Sequence, residues 1–143
     1  MSLVQMEIYP KVHHGDKYSE ILLVEQTMAL PIFVTHWQAE SILNGIHGHA
    51  VGRPMTHDIF IKVINSMAGS IKKVVIDGLH SGVFMAKLYI EHFRNDTMQE
   101  IILDARPSDC IALAAREGCN IYVTEDLLGA AGKAKEEFGI SDF

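Results

Sequence analysis

Three extended segments follow one another in the middle of the chain, and only short turns separate them. Their sequences are IKKVVIDGL, VFMAKLYIEHF and MQEIILDA, and the intervening turns are HSG and RNDT. Connections this short can join only neighbouring antiparallel strands, because parallel strands need a crossover of a dozen or more residues. The sequence therefore predicts an antiparallel meander at the centre of the fold.

Other predicted strands flank this meander in the sequence. VQMEIYPKV alternates apolar and polar residues, and SEILLVEQ, LPIFV and NIYVT are short and rich in branched apolar residues. Strands outnumber helices and mostly run in consecutive blocks. We therefore expect an α+β fold with a mixed, largely antiparallel sheet and three to four helices, rather than a doubly wound sheet.

Capping residues mark where the predicted helices begin and end. Thr35 and Gln38 have the spacing of a capping box. The predicted first residues or caps of the four helical regions are Thr35, Thr56, Ser108 and Thr124. The glycines expected to end the first three helices are Gly48, Gly69 and Gly118, and glycines break the last region near residues 129 to 132.

Length and composition are typical of one globular domain, which we expect to occupy residues 1–143. The chain is 48% hydrophobic and 21% charged. Its longest apolar runs are far shorter than the ~20 residues that span a bilayer, and its first residues do not form a secretory signal, so we expect no membrane contact. Cys110 and Cys119 lack a CxxC partner, which favours reduced thiols in a cytoplasmic protein.

The net charge of the chain is −6, and its only adjacent basic pair is Lys72 and Lys73. Nonspecific nucleic-acid binding depends on Lys and Arg side chains that displace counterions from phosphate. The overall charge therefore does not support nucleic acid as a partner. An acidic protein can still process nucleic acid where a bound metal ion or a local arginine pair supplies positive charge.

The segment LDARPSD (103–109) concentrates charge where a strand is expected to end and a helix to begin. If the turn brings Asp104 and Asp109 to one edge of the sheet, the two carboxylates can bind a divalent metal ion that activates water. Arg106 can hold a phosphate oxygen. The alternative is an ordinary helix start, in which Asp109 complements the helix dipole and Arg106 neutralises both acids.

A second segment, RPMTHD (53–58), shares the plan of Arg-Pro, a hydroxyl residue and an Asp in the first helical turn. His57 can act as a general acid or base near neutral pH, and Asp58 can orient a base or bind metal. Arg53 is a second candidate for phosphate binding. His57 and Asp58 point about 100° apart on a helix, so another partner is needed. The alternative is a capped helix with polar surface residues.

Two weaker patterns do not support a site, and the first is better explained by a loop. His47 and His49 would share a face of an extended segment, but no third metal ligand lies near them in the sequence. The sequence GAAGKA (129–134) lacks both the glycine spacing and the Ser or Thr of a phosphate loop.

Three stretches together resemble the bifunctional nuclease domain family. They are LPIFVTHWQAESI (30–42), RPMTHDIFIKVI (53–64) and LDARPSDCIALAAREGCNIYVTEDLL (103–128), in the family's order and within a core of about residues 4–128. The resemblance implies an α+β domain around a mixed sheet, assembly into homo-oligomers, and cleavage of DNA and RNA. The family usually has Gly where Thr35 stands and Glu where Gln38 stands, so an acid that could have joined a site is missing.

Two hypotheses remain. In the first, which the resemblance favours, the chain is a nuclease that hydrolyses phosphodiester bonds, with a divalent metal ion as a possible cofactor. The metal would lie on Asp104 and Asp109, phosphate on Arg53 and Arg106, and the transferred proton on His57. In the second, which the acidic charge favours, the chain is a non-catalytic oligomeric module that binds a small anion or a protein partner.

Overall fold

The computed structural model describes residues 2–48 and 52–141. The strands within these residues are β1 (Leu3–Ile8), β2 (His13–His14), β3 (Ser19–Val24), β4 (Met28–Val34), β5 (Gly69–His80), β6 (Val83–Arg94), β7 (Thr97–Ala105), β8 (Asn120–Thr124) and β9 (Lys133–Ala134). The helices are α1 (His36–His47), α2 (Thr56–Ser66), α3 (Pro107–Glu117) and α4 (Glu125–Ala131), followed by a 3-10 turn at Lys135–Phe138.

The strands of the described residues form one mixed sheet in the order β7-β6-β5-β8-β1-β3-β4-β9, and β2 pairs with β3. The long strands β5, β6 and β7 form the antiparallel meander that the short turns predict. β8 lies parallel to β5 and antiparallel to β1, which makes the sheet mixed. The α+β class predicted from the sequence is confirmed.

The core lies between the sheet and a helix layer with α3 at its centre. Five consecutive α3 residues, from Cys110 to Ala114, are buried. On β6, the alternate residues Ala86, Leu88 and Ile90 are buried in the same apolar cluster as α3. Since successive side chains of a strand point to opposite faces, the residues between them lie on the face away from the helices.

Two helix starts differ by one or two residues from the sequence prediction. Met55, not Thr56, is the N-cap of α2, and its amide donates to the Asp58 carboxylate at 2.8 Å. Arg106, not Ser108, is the N-cap of α3. Pro107 occupies the first helical position, because its fixed φ suits that position and its missing N–H is not needed there. Ser108 is therefore carried into the first turn, where it is buried.

The predicted helix ends are correct at Gly48 and Gly118, both in the left-handed conformation. The prediction for Gly69 is wrong, because α2 ends at Ser66 and Gly69 begins β5. Ala68 takes the positive φ of 59° instead. The predicted cap at Thr124 is confirmed.

Three smaller expectations concern histidines, cysteines and membranes. His47 ends α1, and His49 lies outside the described residues. Cys110 and Cys119 are free thiols, and burial raises their pKa values to about 12 and about 11. Neither is thus a nucleophile at neutral pH. Among residues 2–48 and 52–141, no helix combines the length and apolar character needed to cross a bilayer.

The capping box of α1 generates a stability prediction. Thr35 Oγ1 accepts from the Gln38 amide at 3.1 Å, and Gln38 Oε1 accepts from the Thr35 amide at 2.8 Å. We expect Thr35→Ala to lower the free energy of unfolding by about 1 kcal/mol and Thr35→Gly by only a few tenths, since glycine is also a favourable N-cap. Urea unfolding of both variants measures this, and equal losses would contradict the capping role.

Candidate functional site

Three helices meet at a hydrogen-bonded histidine. His57, in the first turn of α2, contacts Asp109 of α3 through Nε2, at 2.9 Å from Oδ1. Its other ring nitrogen, Nδ1, lies 2.6 Å from Ser41 Oγ of α1. The two sequence segments that carry the candidate residues, 53–58 and 103–109, therefore come together in the fold. We call the set Ser41, His57, Asp109 and Arg106 the histidine network.

The partners of His57 determine which nitrogen carries a proton when the ring is neutral. An ionised Asp109 can only accept, so His57 Nε2 must donate to it. His57 Nδ1 then accepts, and the Ser41 hydroxyl is its donor. Both ring nitrogens are thus engaged, and neither is open to a substrate in this arrangement.

Arg106 closes the outer end of the histidine network. Its Nε donates to Asp109 Oδ2 at 3.0 Å, and its side chain is 70% exposed. Partial burial raises the pKa of Asp109, but hydrogen bonds from Arg106 and His57 outweigh it and hold that pKa below its usual range. Asp109 is consequently ionised at neutral pH.

A buried arginine lies beneath this network. Arg116 of α3 is 9% exposed, and its Nε donates to Asp58 Oδ1 at 2.7 Å. Its Nη1 donates to the carbonyl oxygens of Ser41 and Ala112, each at 3.0 Å, and its Nη2 donates to Ser41 Oγ at 3.2 Å. One guanidinium group therefore bonds to all three helices.

Glycine makes room for this guanidinium. A Cβ built on Gly45 of α1 would lie 3.0 Å from both Arg116 Nη1 and Ala115 Cβ, and 3.2 Å from the Ala112 carbonyl oxygen. These separations are shorter than ordinary van der Waals contact, so a side chain here would push α1 and α3 apart.

Asp58 is held within the fold on both carboxylate oxygens. Oδ1 accepts from Arg116 and Oδ2 from the Met55 amide. The hydrogen bond from Arg116, opposed by burial, lowers the pKa of Asp58. These bonds position the first turn of α2. As expected for adjacent helical residues, Asp58 does not hydrogen-bond to His57.

Asp104 lies on the other side of the sheet from this cluster. In the β6–β7 register it is opposite Lys87, whose neighbours Ala86 and Leu88 face the helices. Lys87 Nζ lies 3.5 Å from both Asp104 and Asp77. Strand alternation therefore turns Asp104 towards the helix-free face, whereas Asp109 lies in the helix layer. The structure does not bring these two carboxylates together.

The donor groups do not fit a dedicated metal centre. Within the described ranges, no group of three or more His, Cys, Asp or Glu side chains is arranged to hold a metal ion. A lysine already neutralises Asp104, and Asp109 has His57 and Arg106 as partners. Arg53 is exposed in the loop before α2 and makes no hydrogen bond or ion pair in the described part of the chain.

An open groove of about 430 Å³ lies beside Arg106. Its walls come from the end of β4, the β5–β6 turn and the start of α3. The exposed aromatic ring of Phe33, the partly buried ring of Phe84, Arg106 and the buried Ser108 are among the lining residues. The groove therefore combines apolar walls with one cationic side chain.

Two members of the site, Ser41 and Arg116, are absent from the sequence prediction. Ser41 lies four residues before Gly45, and Arg116 lies four after Ala112 and seven after Asp109. This spacing places each of them on the helix face that contacts its neighbour. A polar residue at such a position is the signal that could have identified both.

Comparison with known proteins identifies the family. Residues 21–136 match the model of the bifunctional nuclease domain. Two uncharacterized proteins of Mycobacterium tuberculosis, from strains CDC 1551 and H37Rv, are each 37% identical to the chain over 119 residues, or 83% of its length. The alignment spans 62% of the length of these relatives. The chain belongs to the bifunctional nuclease domain family.

Proposed function

We propose that the chain hydrolyses phosphodiester bonds of DNA or RNA, with Asp109 as general base and Arg106 as phosphate ligand. One arrangement carries the proposal: the ionised Asp109 carboxylate is 31% exposed, accepts from His57 at 2.9 Å and accepts from the exposed Arg106 at 3.0 Å. The bond from Arg106 lowers the pKa of Asp109 and weakens it as a base, so Asp109 acts as the base when Arg106 leaves it for phosphate.

Arg106 is the member of the histidine network that can move. Among the described residues its Nη1 and Nη2 make no hydrogen bond, and its Nε makes the bond to Asp109. These two nitrogens can bind a phosphate group bidentately. When Arg106 turns to phosphate, Asp109 Oδ2 accepts a proton from the attacking water, while Oδ1 remains on His57. The water oxygen bonds to phosphorus, the P–O ester bond breaks, and the leaving alkoxide takes a proton from solvent.

The groove beside Arg106 supplies a place for the rest of a nucleotide. Phe33 presents an exposed ring there, and a base can stack on an aromatic side chain regardless of its sequence. In this proposal only Arg106 and Arg53 contact phosphate. We therefore expect few counterions to be released on binding. The net charge of −6 is compatible with such local recognition.

We expect Asp109→Asn to lower nuclease activity at least about 100-fold, because the amide cannot act as a base. Arg106→Lys should raise KM more than it lowers kcat, since the bidentate contact is lost. Asp104→Asn should retain activity, because Asp104 faces away from the helix layer. The measurement is cleavage of labelled DNA and RNA by identically purified variants, with Mg²⁺ and with EDTA.

Two results would count against this proposal. Cleavage by Asp109→Asn at the rate of the wild-type chain would exclude Asp109 as the base. An equal loss in Asp104→Asn and Asp109→Asn, restored by excess Mg²⁺, would instead support a metal ion shared by those carboxylates.

The second candidate function is a non-catalytic oligomeric module, and one observation favours it. Both ring nitrogens of His57 have partners, and Arg116 is buried in bonds to three helices, so the polar groups can serve the fold alone. A small anion on Arg106, or a protein partner, would then be the ligand. Wild-type chain that cuts neither DNA nor RNA, while Arg106→Ala abolishes binding of a small anion such as phosphate, would support this candidate.

The bond between Asp58 and Arg116 predicts a pH-dependent stability. We expect Asp58→Asn to lower the free energy of unfolding by about 1 kcal/mol at pH 7. The largely buried Arg116 guanidinium loses its charged partner, but the Asp58 side chain is 38% exposed and solvent screens the pair. The pKa of Asp58 is lower in the folded chain than unfolded. Its contribution is therefore complete above the ordinary carboxyl pKa of about 4 and is lost as pH falls through the lower folded value.

Urea unfolding of the wild-type chain and Asp58→Asn between pH 7 and pH 2 measures this effect. Glu40→Gln, at an exposed acid of α1 beyond its first turn, is the matched control and should change stability little. A difference between wild type and Asp58→Asn that stays constant down to pH 2 would contradict the ion pair.

A further inference from the structure

The last strand of the sheet is unprotected at its outer edge. β7 pairs with β6 on one side, and no strand in residues 2–48 or 52–141 pairs with its other side. Every residue from Thr97 to Asp104 is exposed. Edge strands in soluble proteins usually carry a proline, a lysine or a bulge that prevents further pairing. β7 has no Pro and no Lys, and its register with β6 is regular over nine pairs.

The charges on β7 do not protect the edge either. Glu100 Oε2 lies 3.5 Å from Lys72 Nζ, and Asp104 Oδ1 lies 3.5 Å from Lys87 Nζ. Both lysines belong to strands of the same chain, on the paired side of β7. The two carboxylates are therefore directed inward, and the outer edge keeps its free backbone groups.

Large apolar side chains lie on both faces of this edge. Ile101 and Leu103 are each 41% exposed on the face that carries the helices, and Ile102 and Met98 are each 50% exposed on the opposite face. Apolar residues on both faces are typical of a strand that lies inside a sheet. Alone at an edge, they make a surface that favours addition of another strand.

We propose that a second copy of this chain adds its β7 antiparallel to this β7, about a two-fold axis through Ile101, so that one continuous sheet crosses the dimer. A two-fold axis perpendicular to the sheet is the operation that pairs a strand with its own copy antiparallel.

Strand pairing and charge together favour an axis at Ile101 over an axis at either neighbouring residue. Residues directly opposite each other must lie on the same face, so the axis must pass through a residue and not between two residues. An axis at Ile101 pairs all nine residues of β7, with Gln99 opposite Leu103 and Met98 opposite Asp104 of the second copy. No carboxylate then lies opposite another carboxylate.

Shifting the axis by one residue in either direction opposes like charges. An axis at Glu100 places Glu100 opposite its own copy, and an axis at Ile102 places Glu100 opposite Asp104. Like charges directly opposite across a strand pair are destabilising. Of these three registers, only the one that pairs the whole strand keeps every carboxylate away from another carboxylate.

The apolar surface continues beyond the strand. The Phe93 amide on β6 donates to the Ala68 carbonyl at 3.1 Å, which brings the end of α2 to the β6–β7 hairpin. On the helix-free face, Phe93 is exposed opposite Met98. In the helix layer, Ile59 and Val63 of α2 and its C-cap residue Met67 are exposed at helical spacing. A strand pair alone is small beside the roughly 800 Å² per partner of a standard interface, and these neighbours can extend it.

Cysteine cross-linking tests both the surface and the register. In the proposed dimer, Ile101 faces its own copy with Cα atoms about 5 Å apart, which allows a disulfide. Ile102 lies diagonal to its own copy at about 7–8 Å, beyond the usual range. We expect Ile101→Cys to form a disulfide-linked dimer on mild oxidation, whereas Ile102→Cys and the wild-type chain with its two native thiols remain unlinked.

Light scattering after gel filtration gives the independent test. Ile101→Lys should raise the dimer dissociation constant at least about tenfold, because two lysines would face each other at the axis. Trp37→Lys changes a still more exposed apolar residue on α1, away from β7, and should leave the dimer intact. Circular dichroism melting shows that both variants are folded.

Three outcomes would overturn the proposal. A wild-type chain that remains monomeric at high micromolar concentration excludes the dimer. An Ile101→Lys variant that dimerises as well as the wild type, or a Trp37→Lys variant that does not, places the interface elsewhere. Efficient linking through Ile102→Cys without linking through Ile101→Cys contradicts the register.

Discussion

The two hydrogen bonds of the His57 ring, one to Ser41 and one to Asp109, are the constraint on which the helix layer depends. α2 has no fully buried residue, so apolar packing alone fixes it weakly. Its first turn is held instead by His57, between α1 and α3, and by Asp58 on the buried Arg116. Because these groups lie in a partly desolvated site, each must keep its partner, and the orientation of α2 follows from that requirement.

This constraint also explains how one cluster can serve both stability and chemistry. In the inner part, Ser41 is buried and the Arg116 side chain is only 9% exposed, and their bonds join the three helices; the outer part, Asp109 and Arg106, meets solvent. The inner bonds orient the Asp109 carboxylate through Oδ1. Its Oδ2 is bonded only to Arg106 Nε among the described residues, so it becomes available when Arg106 moves. A preorganised group beside a movable one is what catalysis by positioning needs.

Much of the fold could be predicted from local sequence, and less of the site. Short turns determine the β5–β6–β7 meander, and Thr35 with Gln38 determines the start of α1, because both depend on residues a few positions apart. The separation of Asp104 from Asp109 depends on the register of β7 against β6, which no local pattern gives. Ser41 and Arg116 depend on how three helices cross, including the space left at Gly45, and their sequence signal is only a polar residue on a packed face.

Nitrogen NMR of the His57 ring tests the account most directly, because the tautomer of a neutral histidine reports its partners. At a pH where the ring is neutral, the account predicts a proton on Nε2, donated to Asp109, and an Nδ1 that accepts from the Ser41 hydroxyl. Ser41→Ala should make the two tautomers exchange while Nε2 remains the major site. A wild-type ring protonated mainly on Nδ1, or two tautomers already in rapid exchange, would contradict the three-helix junction.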